Sequence, residues 1–146
     1  MCVLASLFEH TMKSKHILEL ADIQTIANAA QAEAIKNGWP VTIAIVDDGG
    51  HLLWLQRLDG AAPISAHIAP AKAQTAALGR RETKIYEDII NNGRVSFLSA
   101  PVIQGMLEGG VPIVKDGMII GAVGVSGVKS SEDAQIAKAG ISALGL

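Results

Sequence analysis

Two pairs of apolar runs, each joined by an Asp-Gly turn, constrain the fold of this chain more than any other feature. VTIAIV (residues 41–46) and HLLWLQRL (51–58) flank the sequence DDGG, and VPIVK (111–115) and MIIGAVGV (118–125) flank an Asp-Gly pair. Gly reaches positive φ at little steric cost and Asp bonds its own backbone, so both junctions favour tight turns. Residues common in strands are frequent in the runs. We therefore predict two antiparallel hairpins.

Helical patterns occur before and after these hairpins. Apolar residues recur at helical spacing over about 22–37, where Asp22 is the expected cap. A short helix is expected over 82–93, where an Asn-Asn-Gly sequence ends it. At the C-terminal end, Ser130 with Asp133 three residues later resembles a capping box that starts a last helix.

The region between the hairpins contains one further helical pattern, over 64–78, with Ser65 as a candidate cap. Pro70 lacks the N–H that a helix interior needs, so this helix should kink or begin near Ile68. Residues 95–110 match no single pattern. The order of elements predicts an α+β domain whose sheet is mainly antiparallel, with helices packed on it.

Composition bounds the class of protein. A chain of 146 residues can bury a core as one domain, and with 49% hydrophobic but only 3% aromatic residues that core must be Ala, Ile, Val and Leu. Because so small a domain is this apolar, we expect it to bury surface against copies of itself and to form a homo-oligomer. The net charge of −2 offers no basic patch for nucleic acid, which we do not expect as a partner.

The single cysteine, Cys2, excludes an internal disulfide framework, a Cys-based zinc site and an iron–sulfur cluster. No apolar run approaches the roughly 18 residues of a membrane helix, so no membrane partner is expected. Residues 1–11 lack the basic region and cleavage signal of a signal peptide, and we interpret them as an N-terminal extension, native or cloning-derived. Residues 12–146 then form the single domain, and the cytoplasm is the default location.

The first turn contains Asp47, Asp48 and His51, and this cluster has two possible interpretations. Carboxylate and imidazole groups at a hairpin tip can converge on a metal ion or act as an acid–base pair. Alternatively, the two aspartates only build the turn, as Asp and Gly commonly do. On the tip alone, turn building is the favoured interpretation.

Three basic residues follow. Alternation along the strand places Arg57 on the same face as His51. There Arg57 should either pair with an acid, Asp59 or Asp47, or bind an anionic ligand. The pair with an acid of the chain is the favoured alternative. His67 is more often a packed or surface residue than a ligand in such a context. Lys72 is expected to be solvated, with a ligand carboxylate as the alternative partner. No nucleophile lies beside an obvious base, so catalytic residues stay unknown.

GAVGVSGVKSS (residues 121–131) is a strand that passes through glycines into a helix start. Helix starts attract anions through free N–H groups, which makes Ser126 and Gly127 candidate binding residues. The order of Gly and Lys does not match a Walker A loop, and the glycine spacing does not match a Rossmann fingerprint. The glycines primarily indicate close approach of backbone segments.

Several of these pieces together resemble one family. In family order the chain contains VDDGGHL, RLDGA, Ser65 shortly before IAPAKAQTAA, GGVPI, GAVGVSG and the terminal D-x-x-IAKAG. Each motif is loose, but the ordered set is specific and spans about residues 18–146. The chain resembles the GlcG/HbpS-like family, also described as haem-degrading or as similar to the PduO C-terminal domain.

The resemblance implies a roughly five-stranded, mainly antiparallel sheet and self-assembly into dimers or larger rings. Some members of that family bind haem, one branch is linked to haem breakdown, and others accompany glycolate, diol or glycerol catabolism. Pro70 departs from the pattern, since the helix motif more comfortably holds a small residue there. The motif positions are Asp47, Gly49, Gly50, Arg57, Asp59, Gly60, Ser65, Lys72, Thr75, Gly109, Gly110, Pro112, Gly124, Ser126, Gly127 and Asp133.

The first hypothesis is therefore an oligomeric haem-binding protein, with haem degradation as a further activity. Candidate axial ligands are His51 and His67, then Met106 or Met118, and Arg57 or Lys72 would hold propionates. The alternative is a non-haem accessory protein that binds a small carboxylate or aldehyde at Arg57 and the glycine-rich helix start. A third reading is an assembly module without a ligand. The candidate ligand-binding residues are His51, Arg57, His67, Lys72, Ser126 and Gly127.

Overall fold

A four-stranded antiparallel sheet organises the part of the chain that the computed structural model describes, residues 11–146. The interpretation of residues 1–11 as an extension falls, except for Thr11, outside the described residues, as does Cys2. The elements in chain order are α1 (Leu20–Asn37), β1 (Thr42–Asp47), β2 (Leu52–Arg57), α2 (Ser65–Gly79), α3 (Thr83–Asn91), a 3₁₀ helix (Val95–Ser99), β3 (Gly110–Lys115), β4 (Met118–Ser126) and α4 (Ser130–Ser142).

Both predicted hairpins are confirmed. β1 pairs with β2 and β3 with β4, and β1 also pairs with β4, so the strand order is β2-β1-β4-β3 with every pair antiparallel. In the second turn, Asp116 and Gly117 have φ of 50° and 74°. Positive φ at both central residues is what a two-residue type I′ turn needs, which explains the Asp-Gly sequence.

The expectation of roughly five strands is wrong by one within residues 11–146, where the sheet has four. The region that matched no pattern forms the 3₁₀ helix and an irregular connection to β3. Pro101 cannot donate to a strand ladder, and Val102 adopts a positive φ of 69°, which no strand accommodates.

The two faces of the sheet pack against different helices. In β1, Ile43 and Ile45 are fully buried in a core of larger side chains that includes α1 and α4. Ala44 and Val46 point the other way, into a core built largely from alanines of α2. Because strand residues alternate between faces, one short strand serves both layers. The predicted α+β class is thus confirmed, with helices on both faces.

The starts of α1 and α4 differ from their predicted caps. Glu19 caps α1, and Asp22 lies in its first turn, where its carboxylate accepts the N–H of Glu19 at 2.9 Å. Lys129, rather than Ser130, caps α4. No helix within residues 11–146 is both long and apolar enough to cross a membrane.

Helix α2 begins at Ser65 and continues through Pro70, so the predicted start near Ile68 is wrong. The Ser65 hydroxyl does not cap the helix; it donates to the carbonyl of Ala62 at 2.5 Å and lies 2.7 Å from the Thr42 hydroxyl. Pro70 lies in the second turn of α2. Because it has no N–H, the helix lacks a single intrahelical hydrogen bond there and continues past it.

Candidate functional site

Strand β2 lies at the edge of the sheet and leaves one of its faces uncovered. Leu55 pairs with Ala44 and therefore shares the α2 side of the sheet, yet it is 46% exposed. Leu52 and Leu53 are 53% and 37% exposed, beside a register shift in the β1–β2 pairing that indicates a bulge. We define the open face of β2 as Leu52, Leu53, Leu55 and Arg57.

At the start of this face, the first turn holds the imidazole of His51 in place. Asp47 Oδ1 accepts hydrogen bonds from the backbone N–H of Gly49 at 2.9 Å and of His51 at 3.0 Å. The same carboxylate lies 3.2 Å from Nδ1 of the His51 ring. A Cβ on Gly49 would lie 2.9 Å from the ring carbon Cε1, so only glycine leaves room for this orientation.

The His51 side chain is 81% exposed, and its Nε2 has no protein partner among the described residues. When Nδ1 carries the proton, it donates to Asp47 and leaves the lone pair of Nε2 available for a metal. A carboxylate behind a histidine is the arrangement that commonly orients metal-bound imidazoles.

The two aspartates of this turn have different partners. The favoured interpretation was that both aspartates build the turn, and in the structure Asp47 does so through the N–H groups of Gly49 and His51. Asp48 pairs with Lys15, and the hydrogen bond from that ammonium lowers the pKa of Asp48 below its ordinary value. Within residues 11–146, no group of three or more His, Cys, Asp or Glu side chains could hold a metal ion by itself. The turn therefore offers one ligand rather than a complete metal site.

Arg57, at the far end of the open face, does not form the predicted ion pair. Its Nε donates to the carbonyl of Ala61 at 3.1 Å. No carboxylate of the described residues lies within ion-pair distance of the guanidinium. The short turn after β2 brings a carbonyl to the arginine and leaves Asp59 elsewhere, which overturns the pair with Asp59 or Asp47. An exposed guanidinium beside leucines is suited to an anionic ligand.

The second candidate histidine, His67, is exposed on the first turns of α2. Gly50, next to His51, lies against Gln74 of the same helix, since a Cβ on Gly50 would be 3.0 Å from Cγ of Gln74. Seven residues of helix separate Gln74 from His67, about 10 Å along the axis. His51 and His67 therefore lie on different elements, the first turn and the start of α2, and are not adjacent.

The two methionines are also placed apart from the open face. Met106 is only 7% exposed, in the connection before β3, so its sulfur belongs to the interior. Met118 begins β4 and is half-buried beside the second turn. Strand β1 lies between β4, which carries Met118, and β2. The structure therefore favours neither methionine as an axial ligand at the open face of β2.

Lys72 was expected to be solvated, and this is wrong. The side chain is 3% exposed, and its ammonium donates to the carbonyl of Val125 at 3.0 Å and to Asp133 Oδ2 at 3.1 Å. Asp133 Oδ1 accepts the N–H of Val128 at 3.2 Å. Burial raises the pKa of Asp133, and the nearby Lys72 ammonium partly offsets that rise. Lys72 is therefore a buried structural cation that is not available to a surface ligand.

This buried pair has a sequence signal that residue type alone conceals. Lys72 lies beside Ala69, Ala73 and Ala76, which form the buried stripe of α2. The position on the helix, more than the charge, indicates burial. Gly109 makes room for the ammonium, since a Cβ there would lie 2.8 Å from Nζ.

Ser126 and Gly127 end β4, where the backbone is tightly packed. Ser126 is 7% exposed. A Cβ on Gly127 would lie 2.5 Å from the carbonyl oxygen of Pro40, and its φ is 149°. The close backbone approach that the glycines indicated is confirmed here. Because β1 lies between β4 and β2, these two residues are separated from the open face of β2.

Comparisons with known proteins give a consistent result. The family model described as "Haem degrading protein HbpS-like" matches residues 18–142. Protein GlcG of Escherichia coli (strain K12) is 60% identical over 115 residues, which cover 79% of this chain and 85% of GlcG.

Two solved structures share the fold. A crystal structure of HbpS superposes with a TM-score of 0.82 at 31% identity, over 92% of this chain and 95% of that one. A crystal structure of a PduOC:haem complex has a TM-score of 0.80 at 30% identity, over 88% of this chain and 95% of that one. Together with the family match over most of the chain, these similarities show that the protein belongs to the HbpS-like family.

Proposed function

We propose that this protein binds haem on the open face of β2, with His51 as an axial ligand. The observation that carries the proposal is the imidazole held by Asp47 in the space that Gly49 leaves, with Nε2 available outward. A bound haem would supply an iron centre with redox and ligand-binding chemistry. A related chain of the same fold, PduOC, has been solved as a haem complex, which supports the choice of ligand.

The rest of the open face fits a flat apolar ligand with carboxylate groups. Leu53 and Leu55 offer uncovered apolar surface between His51 and Arg57. Covering such surface is favourable in proportion to the area removed from water. The exposed Arg57 guanidinium can donate two parallel hydrogen bonds to a propionate. Lys72, the other cation considered for this role, is buried in its pair with Asp133 and is left out of the proposed site.

Self-association is part of the proposal. A flat ligand on this edge strand leaves its second face in water. A second copy packed on β2 would cover both the leucines and the ligand, in a dimer or a larger ring. The exposed leucines of the edge strand support this arrangement.

Titration with hemin tests the site directly. We expect a saturable shift of the Soret band with the unaltered protein, and loss of that saturation in His51→Ala. His16→Ala is the matched control, because His16 is also exposed and also contacts an aspartate, Asp116. Tight binding by His51→Ala would exclude this ligand assignment, and no saturable binding by the unaltered protein would exclude haem.

Haem degradation, which the family description names, needs a separate measurement. The haem-loaded protein would be incubated with ascorbate in air while the Soret band and released iron are followed. We expect the band to decay with release of iron, faster than for free hemin and dependent on His51. A Soret band that persists would restrict the function to binding.

Arg57 also favours a second candidate function, the binding of a small carboxylate or aldehyde in a catabolic pathway. Its guanidinium forms no ion pair with a carboxylate of the described residues. Thermal-shift measurements with glycolate and lactate test this reading, since a ligand that binds the folded state raises Tm. Stabilisation that disappears in Arg57→Gln would support it, whereas no stabilisation by either acid counts against it.

A further inference from the structure

A cleft separate from the open face of β2 lies between the end of α1 and the chain that leaves β2. Its volume is 540 Å³, and its lining includes Trp39 and Pro40 from the α1–β1 connection. Leu58 and Asp59 line it from the end of β2. It therefore joins two segments that are distant in sequence but adjacent at one end of the sheet.

The cleft lies on the opposite side of the sheet from the proposed haem site. Leu58 and Trp39 pack against the core formed with α1 and α4, whereas Leu55 and Arg57 belong to the α2 side. Alternation along the strand places neighbouring residues on opposite faces. A ligand in the cleft and a ligand on the open face would thus contact different residues.

The lining combines apolar surface with a single charge. Ile35, 63% exposed, and the half-buried Trp39 and Leu58 supply apolar walls. Among the lining residues that the structure describes, Asp59 alone is ionisable. No basic side chain within residues 11–146 lies within ion-pair distance of its carboxylate. Because Arg57 does not pair with Asp59, the negative charge of the Asp59 carboxylate is available to a ligand in the cleft.

One wall of the cleft is held by a chain of side-chain hydrogen bonds. Trp54 Nε1 donates to Gln56 at 3.3 Å, and the Gln56 amide donates to Gln31 Oε1 at 2.6 Å. Gln31 lines the cleft from α1. On the opposite side, Gly60 turns the chain after Asp59 with a φ of 86°, a conformation that glycine adopts at little cost. The cleft is built from ordered elements on both sides.

We infer that this cleft binds a small organic cation, of the substituted ammonium class. A carboxylate beside an indole and aliphatic walls attracts a positive charge through Coulomb attraction, and the walls accommodate the apolar substituents that this charge carries. A neutral apolar ligand would desolvate the Asp59 carboxylate without compensation, and an anion would be repelled by it. The residue set therefore selects for charge as well as for size.

Calorimetric titration of the full chain with choline tests the inference, with 3,3-dimethylbutan-1-ol as the neutral isostere and benzoate as an anion. We expect saturable binding of choline in the millimolar range and little heat from the other two compounds. Asp59→Asn should weaken choline binding about tenfold or more, because it removes the charge and keeps the shape. Asp88→Asn, at an exposed aspartate of α3 that pairs with Lys84, is the matched control and should bind choline unchanged.

Fluorescence supplies a second readout that places the ligand. Trp54→Phe removes the hydrogen bond to Gln56, so calorimetry first establishes that this variant binds choline as the unaltered chain does. Trp39 is then the remaining tryptophan of the chain, and choline should change its emission with the same saturation curve. Equal binding of the neutral alcohol, unchanged binding by Asp59→Asn, or choline binding without a response from Trp39 would each overturn the assignment. The absence of saturable choline binding would also overturn it. Hemin titration of Asp59→Asn should remain normal, which separates this site from the proposed haem site.

Discussion

The Nζ of Lys72 lies 3.1 Å from Oδ2 of Asp133, and both side chains are almost completely buried. Lys72 belongs to α2 on one side of the sheet and Asp133 to α4 on the other, so the pair ties the two helical layers together beside the end of β4. The carbonyl of Val125 and the N–H of Val128 satisfy the remaining polar atoms nearby. The tie is thus a complete buried network whose members depend on one another.

Breaking this network on one side should destabilise the fold strongly. Lys72→Met leaves the Asp133 carboxylate buried without its cation, and we expect a loss of about 3–5 kcal/mol in the free energy of unfolding. The double variant Lys72→Met with Asp133→Leu removes both charges and should recover most of that loss. Urea denaturation at neutral pH measures all three proteins. Equal stability of the single variant and the unaltered chain would contradict a structural role for the pair.

Asp133 should also make the stability depend on pH in a specific direction. Its folded pKa is raised by burial, with Lys72 opposing the rise, so the folded state holds the proton more tightly than the unfolded state does. The stabilising effect of protonation is complete below the unfolded value of about 3.9 and is lost as pH rises through the folded value.

The double variant supplies the reference for this pH dependence, because it lacks the titrating group. The quantity to follow is the free energy of unfolding of the unaltered chain minus that of Lys72→Met/Asp133→Leu. We expect this difference to decrease as pH rises from below the pKa of an unfolded Asp through the raised pKa of Asp133 in the folded state. Urea denaturation across this acidic window gives the difference. A difference that increases with pH there would show that Lys72 outweighs burial.

The orientation of His51 leads to a prediction that rests on the proposed function. Asp47→Asn retains an oxygen that can accept the N–H groups of Gly49 and His51, but it removes the negative charge beside the imidazole. Hemin affinity should fall about 10- to 100-fold, as is usual when the group that orients a metal ligand is changed. Asp48→Asn alters the neighbouring aspartate, which pairs with Lys15, and should bind hemin normally. A normal hemin titration of Asp47→Asn would show that the aspartate only builds the turn.

Local sequence patterns predicted most helices and strands, whereas the partners of the candidate site residues depend on tertiary contacts. The Asp-Gly junctions identified both hairpins because the conformation of a tight turn depends mainly on its own residues. The fate of Arg57 could not be predicted in this way, since it depends on which acceptor the following turn brings near, and that acceptor is the Ala61 carbonyl. Lys72 was misassigned for a related reason: its partner, Asp133, is 61 residues away in the chain.

The glycines of β4 are a further case in which the sequence predicted a feature but not its partner. A run such as GAVGVSG indicates close approach without naming the partner. In the structure, a Cβ on Gly124 would lie 2.1 Å from the carbonyl oxygen of Ala69 and 2.5 Å from the backbone nitrogen of Ala73. The alanines of α2 and the glycine of β4 are therefore two halves of one contact, and neither half alone identifies the other.

That contact should tolerate no added methyl group. Gly124→Ala places a Cβ against the backbone of α2, and we expect a loss of about 3 kcal/mol or more in the free energy of unfolding, at the upper end of overpacking effects. Gly117→Ala is the control: its Cβ would meet nothing within 4 Å, although its φ of 74° makes the substitution cost about 1–2 kcal/mol. Thermal or urea unfolding compares the two. A smaller loss for Gly124→Ala than for Gly117→Ala would contradict the close packing of α2 on β4.

The proposed self-association through β2 can be tested at a single exposed leucine. Leu55→Lys places a charge on the open face of β2, where the side chain is 46% exposed, so the fold of one chain should change in stability by only about 0.5 kcal/mol. The oligomer should dissociate to smaller species in sedimentation velocity, because burying an unpaired lysine in an interface is costly. Val114→Lys is the matched control, on the other edge strand and also 46% exposed, and should leave the sedimentation of the oligomer unchanged. Assembly that survives Leu55→Lys but is lost in Val114→Lys would assign the interface to β3, and a monomeric unaltered protein would remove self-association from the proposal.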